Sequence, residues 1–242
     1  SSTTNCYNAG TVIGNYYVGG VFGEARGDIS NCYNTGTVIG NYYAGGVVGY
    51  ASTFNISNLH NSGSVTGNEA VGGVVGYVFG GDVSRCYNTG TVIGVEYVGG
   101  VSGYQIGDFT NCYNMGSVSG TTYIGGVIGY GENDPIVNCY NIGSVSGTDM
   151  VGALYGATSS YGNNVYNCYY LDTCGTAKKG YSRTAEQFAS GEVAYQLSQG
   201  SIVSIYFYPG DSWGQTIGTD AYPVLDGAKV YNGYTSCGDE EK

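Results

Sequence analysis

Cysteines, acids and tyrosines are the residues here with chemistry to offer, and in each set the spacing decides what that chemistry is. Cys6, Cys32, Cys86, Cys112, Cys139 and Cys168 follow one another at 26, 54, 26, 27 and 29 residues. A zinc or redox site needs thiols a few residues apart, or converging with imidazoles. The chain has no Cys-x-x-Cys or His-x-x-x-His spacing, and His60 is its one histidine, so no metal is expected. A wide, steady interval instead stacks the thiols in a column, where free cysteine packs as a small hydrophobe. Cys174 and Cys237 stand outside the series and could pair in an oxidising compartment, with Cys168 competing for Cys174.

The acids recur at the same interval. Paired carboxylates cleave glycosidic bonds when they face one cleft. Glu69, Glu96 and Asp149 instead share one place in different units, Glu69 and Glu96 as neighbours, with no basic residue beside them, and read as a solvated edge. No catalytic residue and no cofactor are expected. Asp28, Asn55, Asp82, Asp108 and Asn164 fall at the turn before each unit, where a column supplies too few oxygens per ion for calcium and turn chemistry suffices.

Tyrosines make three columns: Tyr7, Tyr33, Tyr87, Tyr113, Tyr140 and Tyr169; Tyr17, Tyr43, Tyr97 and Tyr123; and Tyr50, Tyr77, Tyr104 and Tyr130. Facing outward, they could contact glycans or protein surfaces, and Tyr33, Tyr87, Tyr113, Tyr140, Tyr43, Tyr97 and Tyr123 are the candidate ligand-binding residues. Stacked aromatics also stabilise a sheet with no partner present.

What must position these residues is a repeat. Residues 31–50, NCYNTGTVIGNYYAGGVVGY, return with small changes from Asn5, Asn58, Arg85, Asn111 and Asn138, and in truncated form from Asn167, at intervals of 26 to 29 residues. A fixed period in this range signals a solenoid. The eighth position is valine throughout (Val12, Val38, Val65, Val92, Val118, Val145), while the ninth runs from Ile13 to Thr66 and Ser119. That contrast is a strand with one face inward. The second, fourteenth and seventeenth positions, and the place two residues before each unit, are also apolar and read as inward. Cys32, Cys86, Cys112 and Cys139 therefore form a structural column. Asn34, Asn61, Asn88, Asn114 and Asn141, at the fourth position, form an internal amide column. Glycines at the sixth, tenth, fifteenth and nineteenth positions mark corners where φ is positive or backbones approach closely. The sequence thus predicts an all-β fold, a β-solenoid (parallel β-helix, right-handed by default) of six to seven coils over residues 1–175.

Composition narrows the partners. A formal charge of −11 with only 7 Lys and Arg repels a phosphate backbone or an anionic membrane surface, so nucleic acid is not expected. There is no apolar run of spanning length, hence no membrane insertion. Because Asn5 opens the first unit at once, flanking domains of a longer chain are expected.

The Asn-Cys-Tyr-Asn-x-Gly opening and the Gly-Gly-Val-Val-Gly close at residues 45–49 resemble the GLUG repeat of bacterial surface proteins, over roughly the first 170 residues. Members are large secreted or wall-attached proteins, many of them adhesins, and some immunoglobulin A peptidases carry the repeat outside their catalytic domain. The resemblance implies an extracellular setting and an adhesive or spacer module, and it brings no catalytic motif. Leu59 and His60, in place of Cys-Tyr, and Ala153, in place of glycine, depart from the pattern.

From about Thr176 the repeat stops. Residues 184–200 read as one helix, with Thr184 and Gln187 as a capping box and Gly200 as the stop. Residues 201–208 read as a strand, and Trp213 as a buried anchor. Residues 176–242 are expected to form a small α+β cap over the last coil, which would otherwise show an apolar end and unpaired edges. The expected function is a non-catalytic, adhesin-like surface module binding a host or neighbouring-cell glycan or protein. The alternative is a mechanical stalk, with a polysaccharide-cleaving β-helix enzyme as the lesser one.

Overall fold

The computed structural model describes residues 2–132, 134–159, 165–177, 179–203, 206–210, 212–231 and 235–236; Asn164 and Cys237 lie outside the described residues. Each repeat makes one coil of five short strands. In the second coil these are Ile29–Ser30, Tyr33–Asn34, Val38–Ile39, Tyr42–Gly45 and Val48–Ser52. Every strand pairs in parallel with its counterparts above and below, giving five ladders of seven, eight, six, six and six strands. Val65 lies between Val38 and Val92 in register, so like residues do stand over one another. The chain is an all-β solenoid.

A coil closes because two of its positions take the left-handed backbone conformation. They are the first (Asn5, Asn31, Asn58, Arg85, Asn111, Asn138, Asn167) and the thirteenth (Tyr17, Tyr43, Ala70, Tyr97, Tyr123, Met150), with φ between 49° and 60°. Asparagine adopts this region readily, whereas tyrosine is strained there by about 1–3 kcal/mol. Of the two roles expected of the repeat glycines, positive φ and close backbone approach, they take the second: they let backbones meet. A Cβ on Gly36 would sit 1.9 Å from the Gly10 carbonyl oxygen, and one on Gly46 would sit 2.1 Å from that of Gly73 and 2.5 Å from Asn61 Cγ.

Two apolar columns fill the coil. The smaller joins the eighth and fourteenth positions, such as Val38 and Ala44. The larger holds Cys32, Val47, Val48, Ala51 and Ile56 and their equivalents. The eighteenth and twenty-first positions thus also face inward, which the sequence reading missed: Val47 and Val48, though adjacent, are both buried. Where Gln105 replaces the apolar residue in this column, its Nε2 donates to the carbonyls of Gly81 at 3.1 Å and Gly107 at 3.2 Å.

The asparagine column runs alongside. Each Nδ2 donates to Oδ1 of the next coil's asparagine, from Asn8 through Asn34, Asn61, Asn88 and Asn114 to Asn141, at 2.7–2.9 Å. Its second hydrogen goes to the carbonyl two residues on, and its Oδ1 also accepts from that residue's N–H, as Asn61 does with Gly63. An amide has two donors and two acceptor lone pairs, and here all four are used. Aspartate could not donate, and leucine could do neither.

Beyond the sixth coil, Val165–Tyr166 and Tyr169–Leu171 extend the first two ladders, and Tyr181–Arg183 adds an eighth strand to the second. The C-terminal lobe then differs from expectation in three ways. The predicted single helix is two, α1 (Ala185–Ala189) and α2 (Glu192–Ser198), broken at Gly191 with φ 86°, although the Thr184–Gln187 capping box is present. The predicted strand is a hairpin, Ser201–Val203 against Tyr206–Tyr208. And α1, α2 and Trp213 do not cover the end of the rod: they lie along its flank, packed on Tyr113, Tyr140 and Tyr169. The end is met by the first residues of the expected cap, where Ala177 packs on the larger column, Ala153 N–H donates to Thr176 O at 2.8 Å and Tyr181–Arg183 pairs with Tyr169–Leu171. Cys168 and Cys174 are both buried free thiols.

The ladder makes a graded prediction. Asn88→Ala removes the partner of two other amides and of the Gly90 backbone, and should cost about 2–4 kcal/mol. Asn8→Ala, at the open end, should cost less than about 1 kcal/mol. Denaturant midpoints for the two variants check this, and equal shifts would count against a buried, saturated ladder.

Candidate functional site

Third-position side chains point away from the thiols and stack as flat rings. Tyr7 and Tyr33 lie 5.3 Å apart at 11°, Tyr33 and His60 5.0 Å at 4°, His60 and Tyr87 4.9 Å at 3°, Tyr87 and Tyr113 4.7 Å at 4°, and Tyr113 and Tyr140 4.9 Å at 6°. The parallel ladder sets that spacing. Stacking also determines what the column can offer. Each ring's faces are taken by its neighbours, so edges and hydroxyls point outward.

The C-terminal lobe covers half of this column. Tyr7 is 65% exposed and Tyr33, His60 and Tyr87 are half-buried, but Tyr113 and Tyr140 are 6% and 0% exposed. Trp213 sets its ring at 58° across Tyr113 and 56° across Tyr140, and Phe188 lies at 55° to Tyr140. The Tyr140 hydroxyl donates to Pro223 O at 2.6 Å, and burial pushes the Tyr113 and Tyr140 hydroxyls up from their usual range. Tyr113 and Tyr140 therefore do not serve as ligand-binding surface. They anchor the lobe, because aromatic edges brought against indole and phenyl faces bury more apolar area than water allows either to keep. Trp213 is a buried anchor of the lobe.

First-position asparagines take part in the same contact, which sequence reasoning missed. Trp213 Nε1 donates to Asn111 Oδ1 at 3.0 Å, and the Asn111 and Asn138 amides both donate to Pro209 O at 3.2 Å. The available signal was that the first position stays asparagine in six of seven units although turns tolerate many residues.

Tyr33 and Tyr87 remain on the uncovered part of the column. The column's surface there ends in a cleft of about 440 Å³ against the lobe's edge, lined by Asn31, Asn58, His60, Arg85, Leu225 and Asp226. Arg85 Nη2 contacts the Asp226 carboxylate at 2.7 and 2.5 Å, and its Nε donates to Asn58 Oδ1 at 2.7 Å.

A second aromatic surface combines the thirteenth and twentieth positions, and it contains Tyr43, Tyr97 and Tyr123. Rings stack along each column, as Tyr97 on Tyr123 (5.0 Å, 10°) and Tyr77 on Tyr104 (4.7 Å, 9°). Between columns they meet edge to face: Tyr43 with Tyr77 at 62°, Tyr97 with Tyr104 at 79°, Tyr123 with Tyr130 at 84°. The left-handed thirteenth residue directs its ring outward, and the nineteenth glycine makes room for that corner: a Cβ on Gly49 would sit 2.5 Å from the Tyr17 carbonyl carbon. Burial, then Glu96, pushes the Tyr97 hydroxyl up to about 12, and burial with Glu132 raises Tyr104, whose hydroxyl donates to Glu132 at 2.6 Å. These rings are neutral hydrogen-bond donors at neutral pH. The band is half-buried, and Tyr17 at its end is 45% exposed.

The remaining candidates are structural in their contacts. Glu69 pairs with Glu96 along one ladder, side by side rather than across a cleft. At the turns, Asp28 accepts from Asn55 N–H at 2.9 Å and Asp82 from Asp108 N–H at 3.1 Å, and Tyr208 donates to Asp108 at 2.7 Å. Among the described residues no group of three or more His, Cys, Asp or Glu is arranged to hold a metal ion. In the thiol column the backbone N–H groups of Cys86, Cys112 and Cys139 donate to the sulfurs of Cys112, Cys139 and Cys168 of the next coil at 3.3–3.4 Å, and burial pushes the Cys112 and Cys168 thiols up.

His60 interrupts a tyrosine column, and desolvation lowers its pKa below the usual 6.5. A folded-state value below the unfolded one makes its contribution complete above about pH 6.5 and lost as pH falls through the lowered value. His60→Tyr, which continues the stack, should therefore gain stability over the parent chain as pH drops from about 7.5 to 5. Denaturant midpoints at the two pH values check it; parallel pH dependences would refute the assignment.

Compared with known proteins, residues 14–39, 40–66 and 67–93 each match the model of the GLUG motif. Each window starts at the tenth-position glycine of one coil and ends at the ninth position of the next. A crystal structure from Bacteroides ovatus, of a protein provisionally named an immunoglobulin A1 protease, superposes with a TM-score of 0.53 over 93% of this chain and 68% of that one. Identity is 19%, so the likeness is one of fold. No curated protein matches the chain significantly. Residues 14–93 are thus three tandem GLUG motifs, and the coils after them continue the same unit.

Proposed function

We propose that the chain is a non-catalytic repeat module displayed at or outside a bacterial cell surface, where it presents rows of tyrosine edges to a binding partner without a cofactor. The observation that carries this is the herringbone band of Tyr17, Tyr43, Tyr97 and Tyr123 with Tyr50, Tyr77, Tyr104 and Tyr130, half-exposed along one flank. The inner columns are satisfied within the coil. The aromatic columns carry apolar area together with hydroxyl donors out to solvent, at one tyrosine in about nine residues of the sequence.

Two considerations favour a protein partner over a glycan. Sugar rings stack on open aromatic faces, and here the faces are occupied by neighbouring rings. Tyrosine edges with hydroxyls suit polypeptide, as the lobe seated on Tyr113 and Tyr140 illustrates. Charge argues against nucleic acid, since −11 repels phosphate. Among the described residues no helix is long and apolar enough to cross a membrane. The GLUG resemblance supports an extracellular placement. A second reading, a stiff spacer that holds another domain away from the cell, draws on the unbroken ladders of hydrogen bonds and rings, which would stiffen the rod with nothing bound.

The test is binding by the intact chain to an immobilised panel of host surface proteins and to a glycan array. Specific protein binding is expected, reduced about tenfold or more in the variant Tyr43→Ala, Tyr97→Ala, Tyr123→Ala, given hot-spot losses of about 2 kcal/mol for buried aromatics. Silence of the parent chain on both panels would favour the spacer. Binding that ignores the triple substitution would move the site elsewhere on the rod.

A further inference from the structure

The lobe's footprint is periodic, but the lobe covers only part of the period. At the fifth and sixth coils it is held by Asn111 and Asn138 amides on Pro209 O, by Trp213 Nε1 on Asn111 Oδ1, and by indole and phenyl faces across Tyr113 and Tyr140. Three coils earlier, Asn31, Asn58, Tyr33 and His60 occupy the equivalent positions with the same left-handed backbone at both asparagines and the same ring stack. No part of the described lobe sits on them except at the edge, where Arg85 meets Asp226.

We propose that this uncovered stretch, Tyr33, His60 and Tyr87 beside the amides of Asn31 and Asn58, is a docking site for a polypeptide loop that brings a tryptophan or phenylalanine face together with a neighbouring backbone carbonyl. The surface is continuous with an interface the molecule already makes, sharing Tyr87 and the cleft wall at Leu225 and Asp226. The occupant is not the lobe of a second copy, because Trp213 is 1% exposed within its own lobe. It is a separate protein segment with the same chemistry. The indole lies across the edges of Tyr33 and His60, and its N–H donates to the Asn31 amide oxygen. The Asn31 and Asn58 amides donate to the carbonyl. His60, neutral with one ring N–H, stands where Tyr140 donates to Pro223. The proposal holds whether the rod is an adhesin or a spacer, since it concerns the other flank from the herringbone band.

His60 is the chain's one histidine, so its imidazole resonance reports on this site without overlap. The probe is a synthetic peptide of residues 206–215, YFYPGDSWGQ, added to the intact chain. A saturable shift of the His60 signal is expected, weakened about tenfold when the peptide's tryptophan is replaced by alanine. Asn31→Gly with Asn58→Gly should weaken it about tenfold too. Glycine keeps the left-handed backbone at both positions, and because Asn58 also holds Arg85 Nε, the denaturant midpoint of the double variant is measured alongside and should be unchanged. The inference is overturned by no shift at millimolar peptide, by a shift indifferent to the indole or to the two asparagines, or by a shift that neutral oligosaccharides reproduce. The last would make the site a glycan site. None of these outcomes bears on binding at the herringbone band, which is read separately in the Tyr43, Tyr97 and Tyr123 variant.

Discussion

A buried amide that satisfies itself only by meeting a copy of itself is the constraint on which the rest of this solenoid depends. Each interior asparagine of the fourth position, Asn34 to Asn114, spends two hydrogen-bond functions on its own coil and two on its neighbours. The coil-internal pair fixes the turn after the second strand. The inter-coil pair fixes how far one coil can slide or rotate against the next. A slip of one residue would turn the inward valine of each short strand outward, and a slipped amide would in addition leave donors and acceptors unpaired in a place water does not reach, at about 1–3 kcal/mol each. Register held in this way is inherited by every other column, including the aromatic ones.

Inheritance has a geometric consequence. Side chains fixed at ladder spacing can be flat and parallel, as the third-position rings are, only if their backbone presents them at one angle coil after coil. The left-handed residues at the first and thirteenth positions supply that angle, and glycines of the following coil give their corners room. Strain at Tyr17, Tyr43, Tyr97 and Tyr123 is thus offset by ring stacking that those same residues make. The bend and the binding surface come from one set of positions.

How much of this was legible follows from where the sequence repeats. Comparing unit with unit separates Val38 from Ile39, and Cys32 from Tyr33, because a buried position changes little and an exposed one drifts. It does not separate Val47 from Val48, since both face inward at a corner and alternation assigns them opposite sides. Nor does it reveal that Tyr43 rather than Gly45 takes the left-handed conformation: glycine is the usual residue there, and only the three-dimensional crowding at Gly46 and Gly49 shows why it is needed for contact instead. The lobe has no internal repeat to compare. Thr184 and Gln187 announce a helix start, but Gly191 interrupts the same apolar period that suggested a single helix. That the lobe lies on Tyr113 and Tyr140, which look in sequence like Tyr7 and Tyr33, depends on contacts some seventy to a hundred residues apart, as between Asn111 and Trp213.

A periodic flank also poses a problem for the lobe that rests on it: the same asparagines and rings recur every coil, so docking one coil too early would satisfy nearly the same contacts. The chain breaks that degeneracy with an exception. Of the seven first positions only the fourth coil's is not asparagine, and Arg85 there holds Asp226 of the lobe in a two-oxygen contact while its Nε is fixed by Asn58. An exposed ion pair of this kind adds little stability, of order 1 kcal/mol or less. Its effect lies in the comparison between registers, because a lobe shifted by one coil in either direction would set Asp226 against an asparagine and leave the guanidinium unpaired. Leu59, His60 and Ala70, three further departures from the unit, fall in the coil just before Arg85. Coils that only stack can stay alike; the coil beside which something must stop has to differ.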